Sequence, residues 1–190
     1  MHWKCLGAIA LCLLCGCSAV KDPQTLANSI QEGYASAAVI ETDAVIQADS
    51  DGERTEYKLY VRYEGGDAPH AEVTVLEPES IAGVTAVYDA DSGALTYEDM
   101  ALETLLPDHN GLTPADAVPA LLYSLSTAQA QSVWTEEEFV IAQYQQDTEE
   151  CTIVQEAALN PSDGQLHSAR VLCNGAQRIS CQFSGFVIQK

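Results

Sequence analysis

Two alternating segments joined by Asp51-Gly52 restrict the fold of this chain more than any other feature. From Ala38 to Ala48 the even positions are apolar or small, and most odd positions are acidic or amide residues. This period of two is typical of a strand with one buried face, and Asp-Gly favours a two-residue hairpin turn. Such a turn gives the pairs Ser50 with Glu53, Ile46 with Tyr57, Ala44 with Leu59, Thr42 with Val61, Ile40 with Tyr63 and Glu41 with Arg62. A slip of one residue would separate the apolar faces, so we predict an antiparallel hairpin.

The remaining pattern predicts a meander interrupted by helices. Pro23 and Gly33 fit the start and stop of a short helix, and Thr113-Pro114 fits the start of a second. We expect helices over 23–33 and 114–127, further strands over 71–76, 84–88, 94–97, 137–146, 150–159, 165–173 and 177–188, and an irregular segment over 102–111. Short turns between consecutive strands favour antiparallel pairing. The predicted class is therefore α+β and mainly β: a curled antiparallel sheet or half-barrel covered by one or two helices.

The amino terminus predicts export and lipidation. The apolar run from Cys5 to Leu14 has ten residues, which is short for a membrane span and typical of the core of a signal peptide. It ends in Leu14-Cys15-Gly16-Cys17, which resembles the bacterial lipobox, in which the last cysteine is acylated and becomes the first residue. The alternative is an ordinary signal peptide with incidental cysteines. We expect a signal peptide over 1–16, a tether over 17–24 and one domain over 25–190.

The charge excludes some partners. With 8 Lys and Arg against 28 Asp and Glu, the net charge is −20, which argues against nucleic acid and against anionic lipid, since both need basic clusters. The expected link to the bilayer is therefore acylation of Cys17, and the expected location is extracytoplasmic, on the bacterial cell membrane. The sequence indicates no cofactor and no metal.

Three segments resemble a known family. They are Glu56 to Val61, Val75 to Val84 with its Pro78-Glu79-Ser80-Ile81, and Leu95 to Glu98. Together with the lipobox and strand order, they resemble LolA/LolB-like bacterial lipoproteins, most closely the LolA-fold lipoproteins of Firmicutes, which include a germination lipoprotein that partners a cell-wall amidase. The resemblance implies a half-barrel whose concave side holds acyl chains or a protein segment, and no catalytic residues.

The expected function is non-catalytic binding of a lipid, an acyl chain or an envelope protein. The alternatives are a cell-envelope hydrolase, a regulatory subunit of a cell-wall amidase, or a purely structural envelope protein. Ser126 and Ser180 lie outside any G-x-S-x-G context. The candidate cavity residues are Ile40, Ile46, Leu59, Val61, Val73, Val75, Val118, Leu121, Leu122 and Leu125.

Cysteines and aromatic residues give further expectations. If residues 160–164 form the loop between the strands at 150–159 and 165–173, Cys151 and Cys173 face each other, close enough for a disulfide. Cys181 is expected to be a buried thiol. A zinc site with His167 lacks C-x-x-C spacing. Residues interpreted as core rather than as the lining of a ligand groove are Tyr57, Tyr60, Tyr63 and Trp134.

Overall fold

The computed structural model describes residues 22–50, 52–89, 92–97, 100–105 and 110–190. The helices and strands are α1 Pro23–Ala35, β1 Val39–Ser50, β2 Glu53–Glu64, β3 His70–Glu77, β4 Val84–Asp89, β5 Ser92–Tyr97, β6 Met100–Leu105, α2 Ala117–Thr127, β7 Ser132–Glu136, β8 Phe139–Asp147, β9 Thr152–Leu159, β10 Leu166–Cys173 and β11 Ala176–Gln189. The predicted signal peptide, Cys17 and most of the tether lie outside the described residues. Among the helices of the described part, none is long and apolar enough to span a bilayer.

All strands belong to one antiparallel sheet. Its order is β6-β5-β4-β3-β2-β1-β11-β10-β9-β8-β7, so each wing is a meander and the two wings meet where β1 pairs with β11. The sheet curls but does not close, because β6 and β7 lie at opposite ends. Both helices pack on its concave face, and the opposite face is called the outer face below. The predicted α+β, mainly β half-barrel is confirmed.

The β1–β2 hairpin has the predicted register. Ser50 pairs with Glu53, Ile46 with Tyr57 and Ile40 with Tyr63. Gly52 has a φ of +85°, which a glycine adopts without a steric penalty. Ile40, Ile46, Leu59 and Val61 are all buried, so the apolar face that fixed the predicted register is the face that packs into the core.

Two strands were not expected. Residues 102–111 were predicted to be irregular, whereas Met100–Leu105 forms β6 and pairs with β5. Ser132–Glu136 forms β7. Glu137, at a φ of 54°, lies in the turn after β7, so β8 begins at Phe139 rather than at residue 137. A Glu-Glu turn lacks the Asn-Gly or Asp-Gly signal that identifies hairpins in a sequence.

The second helix begins three residues later than expected. The side chain of Asp116 accepts hydrogen bonds from the backbone N–H and the hydroxyl of Thr113, both at 2.7 Å, and from the N–H of Gly111 at 3.1 Å. These contacts hold a turn ahead of Ala117, where the helix starts. Pro119 therefore lies in the first turn, where its missing N–H removes no helical hydrogen bond.

The first helix is fixed by a contact with the β9–β10 loop. The hydroxyl of Tyr34 donates a 3.0 Å hydrogen bond to the carbonyl of Gly164. Gly164 has a φ of +75°, and a Cβ there would lie 3.3 Å from Cγ2 of Ile30. Glycine is thus required both by the backbone conformation and by the closeness of α1.

Candidate functional site

The ten candidate cavity residues lie in the core. Nine of them are buried and Val75 is partly buried, and all ten belong to one continuous cluster between the sheet and the helices. Side chains from β1, β2 and β3 and the apolar face of α2 are packed together in this cluster. None of the ten lines the groove or the outer pocket described below.

An open groove lies beside this core. It is a cavity of about 320 Å³ between α2, strands β2 to β4 and the β2–β3 turn. We call it the groove; it is lined by Tyr63, Asp67, Pro69, His70, Ala71, Tyr88, Asp89, Pro119, Ala120 and Tyr123. Its position at the edge of the helix layer gives a ligand access without displacement of the core.

A cross-strand row forms the floor of the groove. Tyr63 on β2 pairs with Ala71 on β3, which pairs with Tyr88 on β4. All three are buried, and the small Ala71 between two tyrosines leaves a depression. Burial raises the pKa of both phenols; Asp116 raises that of Tyr88 further, while a hydrogen bond with Ser126 opposes the shift at Tyr63. Both tyrosines are thus neutral at physiological pH, and the floor is uncharged.

The rim combines an exposed aromatic ring with a charged pair. Tyr123 on α2 is 51% exposed. His70 Nδ1 lies 2.8 Å from Asp89 Oδ1, and its Nε2 lies 3.5 Å from Glu72 Oε1. The Asp89 hydrogen bond holds the pKa of His70 above its usual value, against the opposing effect of partial burial. Both ring nitrogens of His70 thus face carboxylates, and these contacts favour the protonated form of the imidazole.

Sequence reasoning found little of this groove. Tyr63 was interpreted as core, and it is buried, but one edge of it lines the groove. Tyr60 lies on the outer face and donates a 2.8 Å hydrogen bond to Glu41 Oε1. Tyr88 and Tyr123 were not singled out. Extending the β1–β2 register through β3 and β4 would have placed Tyr88 in the row of Tyr63, whereas the position of Tyr123 depends on how α2 packs.

The predicted register of the β9–β10 hairpin was wrong. Cys173 pairs with Ile153 rather than with Cys151, which precedes β9. Leu159 pairs with Leu166 rather than with Gln165, and a bulge between Leu166 and Ser168 adds a second residue of shift, which no loop-length argument predicts. The Cys151 and Cys173 thiols are free but near, and a hydrogen bond from Cys151 raises the pKa of Cys173. Cys181 is buried, which raises its pKa to about 12.

Comparisons with known proteins concern the fold. No family model matches the sequence, and no curated protein matches it either. A DUF1329 family protein from Desulfovibrio piger has a TM-score of 0.51 at 7% identity, covering 87% of this chain and 91% of that one. A LolA superfamily protein from Nitrosomonas europaea has a TM-score of 0.46 at 11% identity, covering 86% and 94%. The complex of the CwlD amidase with the GerS lipoprotein from Clostridioides difficile includes a match with a TM-score of 0.47 at 15% identity, covering 86% and 94%.

A LolA superfamily protein is thus among the solved structures similar to this chain. At these identities the likeness concerns the backbone alone. What the chain has in common with the Desulfovibrio piger protein is its fold, over 87% of this chain.

Proposed function

We propose that this chain is an exported lipoprotein, anchored through Cys17, that binds an envelope protein at the groove and catalyses no reaction. In this proposal residues 1–16 are a signal peptide, residues 17–24 are the tether and residues 25–190 are the binding domain. The observation that carries it is the combination of a filled concave core with an open, tyrosine-lined groove beside it.

The filled core favours a protein partner over acyl chains. A carrier that encloses a ligand needs a pre-formed apolar cavity, and such sites bury most of their ligand. Here Leu121, Leu122 and Leu125 of α2 are buried in one continuous cluster with the apolar strand residues. The groove is open to solvent, and the exposed Tyr123 beside a buried floor is a combination found at protein interfaces, where tyrosine is enriched.

The rim supports binding rather than hydrolysis. A histidine that acts as general base needs one ring nitrogen free to accept the proton of a nearby nucleophile. Both nitrogens of His70 instead face Asp89 and Glu72. Asp67 and Asp89, which line the groove, give the rim a polar border, as is usual around the apolar centre of an interface.

Site-specific crosslinking tests the groove. A photoreactive phenylalanine analogue replaces Tyr123 in one variant and Val187 in another, and both are expressed in the native host. Val187 is a matched control because it is 46% exposed but lies on β11, outside the groove. We expect a protein adduct at position 123 and none at position 187. A lipid adduct at position 123, or equal adducts at both positions, would contradict the proposal.

A separate measurement tests the anchor. Mass spectrometry of the membrane-extracted protein should show a chain that begins at Cys17 and carries the mass of added lipid. Cys17→Ser should release the protein from the membrane fraction, because charge alone does not hold a chain of net charge −20 on an anionic bilayer. A chain that begins elsewhere or lacks lipid would refute the anchor while leaving the crosslinking result intact.

A further inference from the structure

A second cavity lies on the outer face of the sheet. It has a volume of about 310 Å³ and spans β8 to β11 together with the β7–β8 turn. We call it the outer pocket; it is lined by Glu136, Glu137, Phe139, Ile141, Glu156, Ala158, His167, Ser168, Ala169, Arg170, Ser180 and Gln182. It shares no residue with the groove.

The register of the sheet explains why this face is hollow. Ile141, Ala158, Ser168 and Gln182 pair in one row across β8, β9, β10 and β11. The middle of the row is hollow because the side chains of Ala158 and Ser168 are small. Ile141 and Ala158 are only 6% and 9% exposed, although they lie on the face away from both helices. The outer pocket therefore has a sheltered apolar floor.

An aromatic pair forms one wall. The rings of Phe139 and His167 stack with centroids 4.3 Å apart and an interplanar angle of 10°. The β10 bulge lies between Leu166 and Ser168, so His167 is the additional residue that reaches Phe139. The face of an aromatic ring attracts a cation through its quadrupole, so this wall suits a positively charged group.

The charges around the pocket leave an excess of carboxylate. Glu156 is 14% exposed and is matched by Arg170 at 2.7 Å, with Gln143 donating to its other oxygen at 3.2 Å. Glu136 accepts a hydrogen bond from the indole N–H of Trp134 at 3.3 Å. Among the described residues Glu137 has no ion-pair partner. Because Glu156 already neutralises the charge of Arg170, the negative charges of Glu136 and Glu137 leave the pocket anionic.

We propose that the outer pocket binds a lysine or arginine side chain from a basic segment of another protein. The aliphatic part of such a side chain fits the floor formed by Ile141 and Ala158. Its charged end lies near Glu136 and Glu137 and against the aromatic wall. The net charge of −20 draws a basic segment toward the protein. This proposal concerns a face of the sheet that the proposed groove function does not use.

The fluorescence of Trp134 reports binding directly. The sequence has two tryptophans, Trp3 and Trp134, so the full-length chain carrying Trp3→Phe has one indole, hydrogen-bonded to Glu136. The probe is an acetylated tetra-arginine peptide, which has no fluorescence of its own at these wavelengths. We expect a saturable change in emission with this peptide and none with tetra-glutamine. The absence of a saturable change would overturn the proposal.

Matched charge variants distinguish binding at the outer pocket from non-specific electrostatic attraction to the acidic surface. The double variant E136Q/E137Q removes two charges at the pocket, and E149Q/E150Q removes two adjacent charges outside it. Two exposed ion pairs are worth roughly 1 kcal/mol together, so we expect E136Q/E137Q to weaken binding about fivefold and E149Q/E150Q less than twofold. Equal weakening would mean non-specific attraction and would overturn the proposal.

Two further variants complete the test. Phe139→Leu removes the aromatic wall and should weaken binding about threefold, in line with a cation–π contact at a partly exposed site. Tyr123→Ala alters the groove and should leave the peptide affinity unchanged. Loss of peptide binding in Tyr123→Ala would place the site at the groove instead, and failure of groove crosslinking has no bearing on this result.

Discussion

The hydroxyl of Ser124 on α2 donates a 2.7 Å hydrogen bond to Oε1 of Gln155 on β9. Gln155 is buried on the concave face, so this bond is a polar connection at the edge of an apolar layer. The same hydroxyl lies 3.0 Å from the carbonyl of Ala120 one turn earlier. The bond therefore fixes how α2 lies on the sheet, and with it the position of Tyr123 at the groove.

Loss of this connection should destabilise the protein. Ser124→Ala leaves a buried amide oxygen without its donor, which costs about 1–3 kcal/mol. The control is Thr127→Ala on the same helix, where an exposed hydroxyl donates a hydrogen bond to the carbonyl of Tyr123 and to no other described residue. Urea unfolding followed by circular dichroism should show the larger loss for Ser124→Ala. Equal losses would mean that the Gln155 contact contributes nothing.

A glycine pair tests the contact between α1 and the β9–β10 loop. Gly164 and Gly175 have φ angles of +75° and +78°, but a Cβ meets Ile30 at Gly164 and nothing within 4 Å at Gly175. Both alanine variants incur the left-handed backbone penalty of about 1–2 kcal/mol. We expect Gly164→Ala to lose more free energy of unfolding than Gly175→Ala by about 1 kcal/mol. Equal losses of unfolding free energy in the two variants would show that α1 shifts away from residue 164 without loss of stability.

The His70 contacts predict a pH-dependent contribution to stability. The pKa of His70 is raised in the folded state, chiefly by its hydrogen bond with Asp89. A raised pKa gives stability that is fully present below the unfolded-state value of about 6.5 and is lost as pH rises through the folded-state value. His70→Gln should therefore be less stable than the parent at pH 5.5, by about 0.5 kcal/mol because the pair is partly exposed.

At pH 9 the difference between His70→Gln and the parent should be smaller. Free energies of unfolding from urea titrations at both pH values provide the measurement. His167→Gln is the control, since His167 stacks on Phe139 and has no carboxylate hydrogen bond among the described residues. A larger loss of unfolding free energy in His70→Gln at pH 9 than at pH 5.5 would contradict this prediction.

The cysteines predict a simple labelling pattern. We expect Cys151 and Cys173 to join as a disulfide in the exported protein, where disulfides persist. Iodoacetamide at pH 8 should then label neither of them until a reductant is added, after which both react. Cys181 should stay unlabelled in the folded protein in both cases, because it is buried and its pKa is about 12. Mass spectrometry of tryptic peptides checks each site.

Labelling of Cys151 and Cys173 without reductant would show that the thiols are free in the exported protein. Cys173→Ser separates the two outcomes. In an oxidised parent this variant exposes one new reactive thiol at Cys151, whereas in a reduced parent it removes one.

The parts of the fold that the sequence predicted are those with a strong local signal. Alternation on both sides of Asp51-Gly52 predicted a register in which the apolar residues of the second strand lie on the apolar face of the first, and the observed pairs agree. Pro23 likewise marks the start of α1. In such segments local preference and core packing favour the same arrangement.

The missed elements lack such a signal. The β7–β8 turn uses Glu137 at a positive φ, a conformation that glutamate rarely adopts and that nothing local predicts. At the β9–β10 hairpin, the loop pairing and the bulge at His167 each moved the cysteines one residue out of register. The groove and the outer pocket both combine residues far apart in sequence, so their lining depended on the strand order and on the packing of α2.

The pairing of β1 with β11 has a consequence for the order of folding. Each wing of the sheet consists of neighbouring strands and can form by local hairpin closure, but the central seam joins residues 39–48 to residues 179–189. Contacts of such high sequence separation form late. In the exported chain that we propose, this seam cannot form until β11 has crossed the membrane, so the complete sheet is the last part of the structure to assemble.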